Sequence, residues 1–239
     1  MSASRFILRR LAAAGALIGL FAGQAAQAQT DPDNPTCPAS PNWSNYREMR
    51  FTPQEIDGRR VLLAEGVIDD DVVARLQAAL NEHQDIGEIW FRSPGGNARV
   101  GNQAGRIIRE NGMITRIPSG WACFSACNFM FMGGVVRYVD DGAQFMVHMF
   151  THANDKAAVK AQLASADDQA IGLLGAVEQQ SALLASEDND FLIRMGVSRK
   201  LLSEVMYRQK ALAEQGEDKS TRRCLTADEV VRYNVANAR

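Results

Sequence analysis

The sequence predicts an α/β fold with a mainly parallel sheet. Short apolar segments alternate with segments of helical spacing through most of residues 60–150, and this alternation is typical of strands that are connected in parallel by helices. Hydrophobic residues make up 46% of the chain and charged residues 23%, a balance that excludes a disordered chain. Residues 155–215 are rich in Ala, Leu, Glu and Gln and contain no Pro, so we expect a mostly helical region there.

Each predicted element depends on a local pattern. Val72, Leu76 and Leu80 recur at helical spacing after Asp residues that can cap a helix. Thr226 and Glu229 have the spacing of a capping box. Strands are predicted where short apolar segments lie between turn residues. The predicted strands are 59–68, 86–91, 113–117, 135–139 and 144–149, and the predicted helices are 70–83, 99–111, 126–132 and 226–232.

The first 28 residues have the profile of a secretory signal peptide. Three Arg residues precede the apolar run 11–22, and an Ala-Gln-Ala sequence ending at Ala28 offers a cleavage site. The run is shorter than the roughly 20 residues of a membrane span, so an uncleaved anchor is the less favoured alternative. We expect a periplasmic or secreted protein that meets the membrane only through this peptide. The general secretory and twin-arginine routes both stay open.

Cleavage after Ala28 would leave an arm and one domain. Residues 29–57 begin with many Asp, Asn, Pro and Ser residues and predict an irregular arm, and residues 58–239 form the α/β domain. The mature chain has 23 basic and 28 acidic residues, hence a net charge of 23 − 28 = −5. This charge excludes the basic surface that nucleic-acid binding needs. The chain has no metal or nucleotide signature, so no cofactor is expected.

The four cysteines would enter an oxidising compartment, where disulfides persist. Four cysteines can form two disulfides in three ways. We favour a Cys37–Cys224 disulfide, which would join the two terminal segments. Cys123 and Cys127 lie close together in the chain. Zinc binding is the alternative, but their spacing is unusual for zinc and no His lies nearby.

Three short segments offer chemistry. The Ser-Pro-Gly-Gly segment 93–96 follows a predicted strand, and it is either a plain turn or a source of N–H groups for an oxyanion. Ser125 precedes a predicted helix, where it is either an N-cap or a nucleophile assisted by the N–H of Ala126. His148 lies in an apolar strand segment and is either a core residue or a general base.

The order and spacing of these segments resemble the ClpP-like proteases of the ClpP/crotonase family. Gly96 and Ser125 are 29 residues apart, and Ser125 and His148 are 23 residues apart. The Arg-Cys-Leu-Thr-Ala-Asp-Glu sequence that begins at Arg223 is similar to the family's Arg-Phe-Leu-Ser-Ala-x-Glu stretch. The likeness covers residues 62–150 and 218–234, and it implies a fold of repeated ββα units with 155–215 as an insertion.

The resemblance implies a role for each matching residue. Ser125 matches the nucleophile and His148 the general base. Gly96 and Ala126 match the backbone donors of the oxyanion hole. Asp218 matches the carboxylate that orients the histidine, when the comparison is anchored on the Arg-Cys-Leu-Thr-Ala sequence.

The third catalytic residue has alternatives. The chain between His148 and Asp218 is longer than the family spacing, so Asp188 and Asp190 are candidates as well. Some proteins of this fold use a Ser-Lys pair instead. Cys123 or Cys127 as the nucleophile is a less favoured alternative, because a free thiol is vulnerable in an oxidising compartment.

We therefore expect an exported serine hydrolase, most simply a peptidase acting on peptide or protein substrates. The family assembles into rings, which makes a homo-oligomer a reasonable expectation, whereas export removes the cytosolic unfoldase as a partner. The main alternative is a non-catalytic binding or assembly protein on the same fold. A structural envelope protein is a further alternative, and an acyl-CoA enzyme is disfavoured because export separates it from cytosolic CoA.

Overall fold

Strands and helices alternate along the chain. The computed structural model describes residues 29–151, 160–161, 167–213 and 219–238. The strands are β1 (Thr30–Asp31), β2 (Asn34–Pro38), β3 (Arg50–Ile56), β4 (Arg59–Glu65), β5 (Glu88–Arg92), β6 (Ile114–Ile117), β7 (Ala122–Phe124), β8 (Val136–Val139), β9 (Gln144–His148) and β10 (Arg222–Cys224). The helices are α1 (Val72–Glu82), α2 (Ala98–Glu110), α3 (Ala126–Met132), α4 (Asp167–Met195) and α5 (Ala227–Arg232), and a π-helical turn (Leu201–Val205) and a 3₁₀ turn (Met206–Arg208) follow α4.

The main sheet has the strand order β3-β4-β5-β6-β8. β3 pairs antiparallel with β4, and the other three pairs are parallel. Within β5, Ile89 and Phe91 are buried while their neighbours are partly exposed, as expected where side chains alternate between two faces. The mainly parallel sheet with intervening helices confirms the predicted fold class.

A second, three-stranded sheet has the order β10-β9-β7, with β7 parallel to β9. β6, β7 and α3 follow one another as a ββα unit. The segment after β5 joins this second layer directly, because Ser93 N–H donates to Ala122 O at 3.1 Å and Phe124 N–H donates to Ser93 O at 3.0 Å. The turn after β5 is therefore fixed beside the C-terminal end of β7.

The segment 29–57 is more regular than the irregular arm that the sequence predicts. β1 and β2 form a small antiparallel sheet, and β3 is an edge strand of the main sheet. Pro53 lies within β3. A proline weakens a strand prediction, yet an edge strand tolerates it because one side of the strand has no partner to receive its N–H. The predicted signal peptide, 1–28, lies outside the described residues.

The C-terminal segment closes over a buried arginine. Helix α5 begins with the predicted capping box of Thr226 and Glu229, which is confirmed. Arg137 is 1% exposed, and its guanidinium donates to the carbonyl oxygens of Asn234 and Val235 at 2.9 and 2.8 Å. Burial lowers the pKa of Arg137 to about 10, so the group is still charged at pH 7. The carbonyl dipoles compensate this charge and fix the chain end to β8.

Helix α4 forms most of the described part of the predicted helical region. Its apolar side chains are not all covered: Ile171 is 73% exposed and Leu174 is 58% exposed. Polar and charged residues interrupt the apolar ones along the helix. Across the ranges that the structure describes, no helix combines the length and apolar character needed to cross a membrane.

Candidate active site

The turn that follows β5 is held by its own serine. Ser93 is fully buried; its hydroxyl donates to Gly66 O at 2.6 Å and accepts from Gly95 N at 3.1 Å. Gly95 and Gly96 have φ values of 89° and 148°, which L-residues rarely adopt. A methyl group on Gly95 would lie 2.7 Å from Ser125 Cβ and 3.0 Å from Ala126 N. The turn therefore passes directly against the start of α3.

Ser125 connects β7 to α3 in a strained conformation. Its φ of 59° and ψ of −124° fall outside the regions that are comfortable for a residue with a Cβ, at a cost of about 1–3 kcal/mol. Ser125 precedes the first residue of α3, but its side chain makes no capping hydrogen bond to the helix. The N-cap alternative is therefore wrong for the hydroxyl. Neighbouring strands hold the backbone in place, since Ser125 N–H donates to Met146 O at 3.3 Å.

The serine hydroxyl faces His148, at the end of β9. The distance between Ser125 Oγ and His148 Nε2 is 2.6 Å. The pairing follows from the parallel register of β7 and β9, in which Phe124 lies opposite Met146. Buried Asn128 strengthens this register by donating from Nδ2 to Met146 O at 2.6 Å. Residues 23 positions apart in the chain are thus brought within hydrogen-bond reach by one strand pair.

Burial lowers the pKa of the His148 imidazole below its usual 6.5, and a hydrogen bond with the Met149 backbone opposes this shift. Since removal from water disfavours the charged ring, the imidazole is neutral at pH 7. Phe124 contributes to the burial, with its ring centroid 4.8 Å from that of His148. A neutral imidazole beside a hydroxyl is the protonation state that a general base requires.

Two backbone N–H groups, one in the turn after β5 and one at the start of α3, have no acceptor among the hydrogen bonds of the described residues: those of Gly96 and Ala126. Ala126 is the first residue of α3, so its N–H has no intrahelical partner and lies at the positive end of the helix. Gly96 is held by its neighbours, since Asn97 N–H donates to Ile68 O at 2.7 Å and Ile68 N–H donates to Gly95 O at 2.8 Å. Such fixed donors can stabilise negative charge.

Three carboxylates are candidates for the residue that orients the His148 ring. Asp218 lies outside the described residues. Asp190 is exposed and bonds to Arg194 and Arg106 at 2.9 and 3.3 Å. Asp188 is 4% exposed and lines the same cavity as Ser125 and His148. In the part of the chain that the structure describes, no carboxylate hydrogen-bonds to the His148 ring.

A narrow cavity of about 30 Å³ opens beside the serine–histidine pair. It adjoins an apolar cavity of about 220 Å³, and the two share Phe150, Leu184 and Tyr207. Sequence reasoning missed most of this lining, because residues near 184 and 207 carry no local signal that places them next to Ser125. The smaller cavity is lined by Ala98, Ser125, Ala126, Phe129, His148, Phe150, Leu184, Asp188, Met206 and Tyr207.

All four cysteines are in disulfides. Cys37 pairs with Cys224, as favoured from the sequence, and Cys123 pairs with Cys127. The second disulfide closes a short ring around Ser125 and ties the end of β7 to the first turn of α3. Neither Cys123 nor Cys127 has a free thiol to act as a nucleophile. Among the described residues, no cluster of His, Cys, Asp and Glu has the arrangement of a metal site.

The two disulfides are expected to have separable effects. The Cys37→Ala/Cys224→Ala variant should lose about 5 kcal/mol of unfolding free energy, because its loop is long, whereas Cys123→Ala/Cys127→Ala should lose about 2 kcal/mol. The second variant should nevertheless slow modification of Ser125 by a fluorophosphonate about 10- to 100-fold, since the strained serine loses a constraint. Urea unfolding and labelling rates measure both effects. Wild-type labelling in Cys123→Ala/Cys127→Ala would mean that the sheet alone positions Ser125.

The fold is similar to that of solved ClpP-like proteins. A ClpP1 mutant from Listeria monocytogenes matches with a TM-score of 0.50 and 13% identity, over 74% of this chain and 88% of that one. A mutant of the membrane-bound stomatin-specific protease 1510-N matches with a TM-score of 0.44 and 11% identity, over 74% and 75% of the two chains. No protein-family model matches the chain, and no curated protein matches it either. The ClpP1 similarity confirms the ClpP-like fold that the motifs predict.

Proposed function

We propose that this chain, which has a ClpP-like α/β fold, is an exported serine peptidase with Ser125 as nucleophile and His148 as general base. One observation carries the proposal: Ser125 Oγ lies 2.6 Å from His148 Nε2 while the serine backbone is held at positive φ. A serine that only capped a helix would need neither feature. The side chains instead have the relation of an activated nucleophile and its base.

The proposed reaction uses the groups already described. His148 Nε2 takes the proton of Ser125 Oγ as Oγ attacks the carbonyl carbon of the scissile peptide bond. The N–H groups of Gly96 and Ala126 donate to the resulting oxyanion. The imidazolium then protonates the leaving amine, which departs and leaves an acyl ester on Ser125. In the second half of the reaction, His148 takes a proton from water as the water oxygen adds to the ester carbonyl. The imidazolium then returns this proton to Ser125 Oγ as the ester bond breaks and the acid product leaves.

Asp218 is our proposed partner for the far side of the His148 ring. Its support is the register of the second sheet, in which Arg222 lies opposite His148. The chain that leads into β10 therefore arrives beside the histidine, and Asp218 lies four residues before Arg222. Asp190 is a weaker candidate because its carboxylate is paired with Arg194 and Arg106.

We further propose a periplasmic or secreted location, with cleavage after Ala28. Its support is the charged and apolar pattern of residues 1–28 together with the two disulfides, which persist in oxidising compartments. Such a location leaves the peptidase without a cytosolic unfoldase. The exposed apolar residues Ile171 and Leu174 of α4 support assembly with a second copy of the chain, because uncovered apolar side chains favour association.

A fluorophosphonate probe tests the proposed nucleophile. Wild-type protein should form a stable adduct whose mass maps to Ser125, because the activated hydroxyl displaces fluoride from phosphorus. Ser125→Ala should form none, while Ser119→Ala, which changes a nearby exposed serine, should label as the wild type does. Folded wild-type protein that resists the probe, or a Ser125→Ala variant that still labels, would refute the proposal.

A non-catalytic binding or assembly protein is the second candidate. It is favoured by the absence of a carboxylate bonded to His148 within the described residues, since catalytic histidines of this type are usually oriented by one. Peptide turnover separates the two candidates. The binding protein would be favoured if the wild type binds peptides without cleaving them. The Ser125→Ala variant should then bind the same peptides with the same affinity.

A further inference from the structure

Two polar groups in the Ser125 cavity lack adequate partners. Asp188 is only 4% exposed to solvent. The hydrogen bond that its carboxylate accepts from Asn102 Nδ2 is long, at 3.5 Å. The Tyr207 hydroxyl is buried and has no hydrogen-bond partner among the described residues. Buried polar groups left without partners cost about 1–3 kcal/mol each, and in folded proteins they generally have a reason.

The groups around Asp188 leave its charge uncompensated. Burial raises the pKa of Asp188 to about 7, opposed by the Asn102 hydrogen bond and increased by the neighbouring Glu187. On α2, Arg106 points its Nε to Asn102 Oδ1 at 3.2 Å and does not reach Asp188. The Tyr207 pKa is raised to about 12, by burial first and then by Asp188. Among the described residues, no cation pairs with Asp188.

The walls of the cavity are otherwise apolar. Ala98, Phe129, Leu184 and Met206 line the same cavity as the serine–histidine pair and Asp188. The adjoining cavity of about 220 Å³ adds room for an extended side chain. A mainly apolar cavity lined by both an acceptor-only carboxylate and a reactive serine fits a long side chain with a cationic tip.

We propose that Asp188, with the Tyr207 oxygen as a second acceptor, determines substrate specificity by binding the Lys or Arg side chain that precedes the scissile bond. This inference rests on the proposed peptidase function and names its substrate class. The methylene groups of the substrate side chain would lie against the apolar walls. Its ammonium or guanidinium group would donate to the carboxylate and to the phenol oxygen, which gives Asp188 a charged partner and Tyr207 its first hydrogen bond.

Fluorogenic peptides that differ only in the residue before the scissile bond test this specificity. Wild-type kcat/KM should be about 10²-fold higher for Lys or Arg than for Leu, since a site built for a charged group rejects the residue that lacks it. Asp188→Asn should lower the Lys-to-Leu ratio about 10²-fold. The control is Asp190→Asn, which removes an exposed carboxylate two residues away and should leave the ratio unchanged.

The same ratio should depend on pH. Asp188 ionises as the pH rises through about 7, whereas a substrate lysine stays charged over this range. The Lys-to-Leu ratio should therefore increase from pH 6 to pH 8. Titration of His148 affects both peptides and cancels from the ratio. In Asp188→Asn the ratio should be independent of pH.

Benzamidine provides a readout that needs no variant. This small aromatic cation should occupy the cavity and slow fluorophosphonate labelling of wild-type Ser125, while neutral benzamide should not.

If Asp188→Asn lowers turnover of all peptides by the same factor, Asp188 acts through His148 and the specificity inference is overturned. Labelling of Ser125 with no Lys or Arg preference and no benzamidine protection overturns this inference alone. Absence of labelling overturns the proposed function as well.

Discussion

His148→Ala is expected to lower kcat for peptide hydrolysis about 10²- to 10⁴-fold, with a much smaller change in KM. The imidazole is the one base within hydrogen-bond reach of Ser125 Oγ in the described residues, at 2.6 Å. Without it, the serine proton has only water as an acceptor. Steady-state kinetics on a peptide ester or amide measures the effect, and fluorophosphonate labelling should slow in parallel.

The pH profile of the wild type should carry the signature of His148. The base must be neutral to accept a proton, and burial holds its pKa below the usual 6.5. The acid limb of kcat/KM should therefore have its midpoint below pH 6.5. At pH 6.5 the enzyme should still have more than half of its maximal kcat/KM. His83→Ala, at the end of α1, is the matched control and should keep wild-type kinetics. An undiminished kcat in His148→Ala, or a midpoint well above 6.5, would contradict the assigned base.

Gly95→Ala is expected to lower kcat about 10²- to 10³-fold, comparable to the removal of an oxyanion donor. The new methyl group would lie 2.5 Å from Phe124 O and 2.7 Å from Ser125 Cβ, closer than real contacts allow. Either the turn or the serine must move, and both displacements separate the Gly96 donor from the reacting carbonyl. Acylation and deacylation rates, measured by stopped flow, should both fall.

Gly120→Ala separates this effect from backbone strain. Gly120 has a φ of 74°, similar to the 89° of Gly95, but a methyl group there has no neighbour within 4 Å. Both variants should lose about 1–2 kcal/mol of unfolding free energy, because an L-residue is disfavoured at positive φ, and Gly95→Ala should lose about 1–3 kcal/mol more through its steric clash. Only Gly95→Ala should lose activity. Equal losses of activity in the two variants would show that general destabilisation, and not the turn's contact with Ser125, is responsible.

Elements with a strong local pattern were predictable, and elements without one were not. Ile89 and Phe91 alternate with partly exposed residues in β5, and Thr226 and Glu229 form a capping box at α5, so both elements follow from neighbouring residues. β7 and β10 have only three residues each. This is too few residues to show the alternation of apolar and polar side chains that predicts a strand. They exist because β9 lies between them and supplies their hydrogen bonds.

The candidate site divides in the same way. Motif spacing led to Gly96, Ser125, Ala126 and His148. In the structure Ser125 Oγ lies 2.6 Å from His148 Nε2, and the turn that contains Gly96 contacts the start of α3 through Gly95. The approach of Tyr207 to Asp188 had no counterpart in that reasoning. The family spacing placed the third catalytic residue at Asp218, with Asp188 and Asp190 as alternatives. Only the structure distinguishes the last two, because Asp188 is buried and Asp190 is exposed.

The amino-acid order alone was enough to infer an α/β chain, its capped final helix and the segments that hold reactive groups, because these depend on contacts a few residues long. Packing was needed to learn that Ser125 is held at positive φ against Gly95, that its hydroxyl meets an imidazole from the next strand, and that a carboxylate from α4 is buried beside them. Those properties arise from contacts between residues far apart in the chain, whose energies no local pattern records.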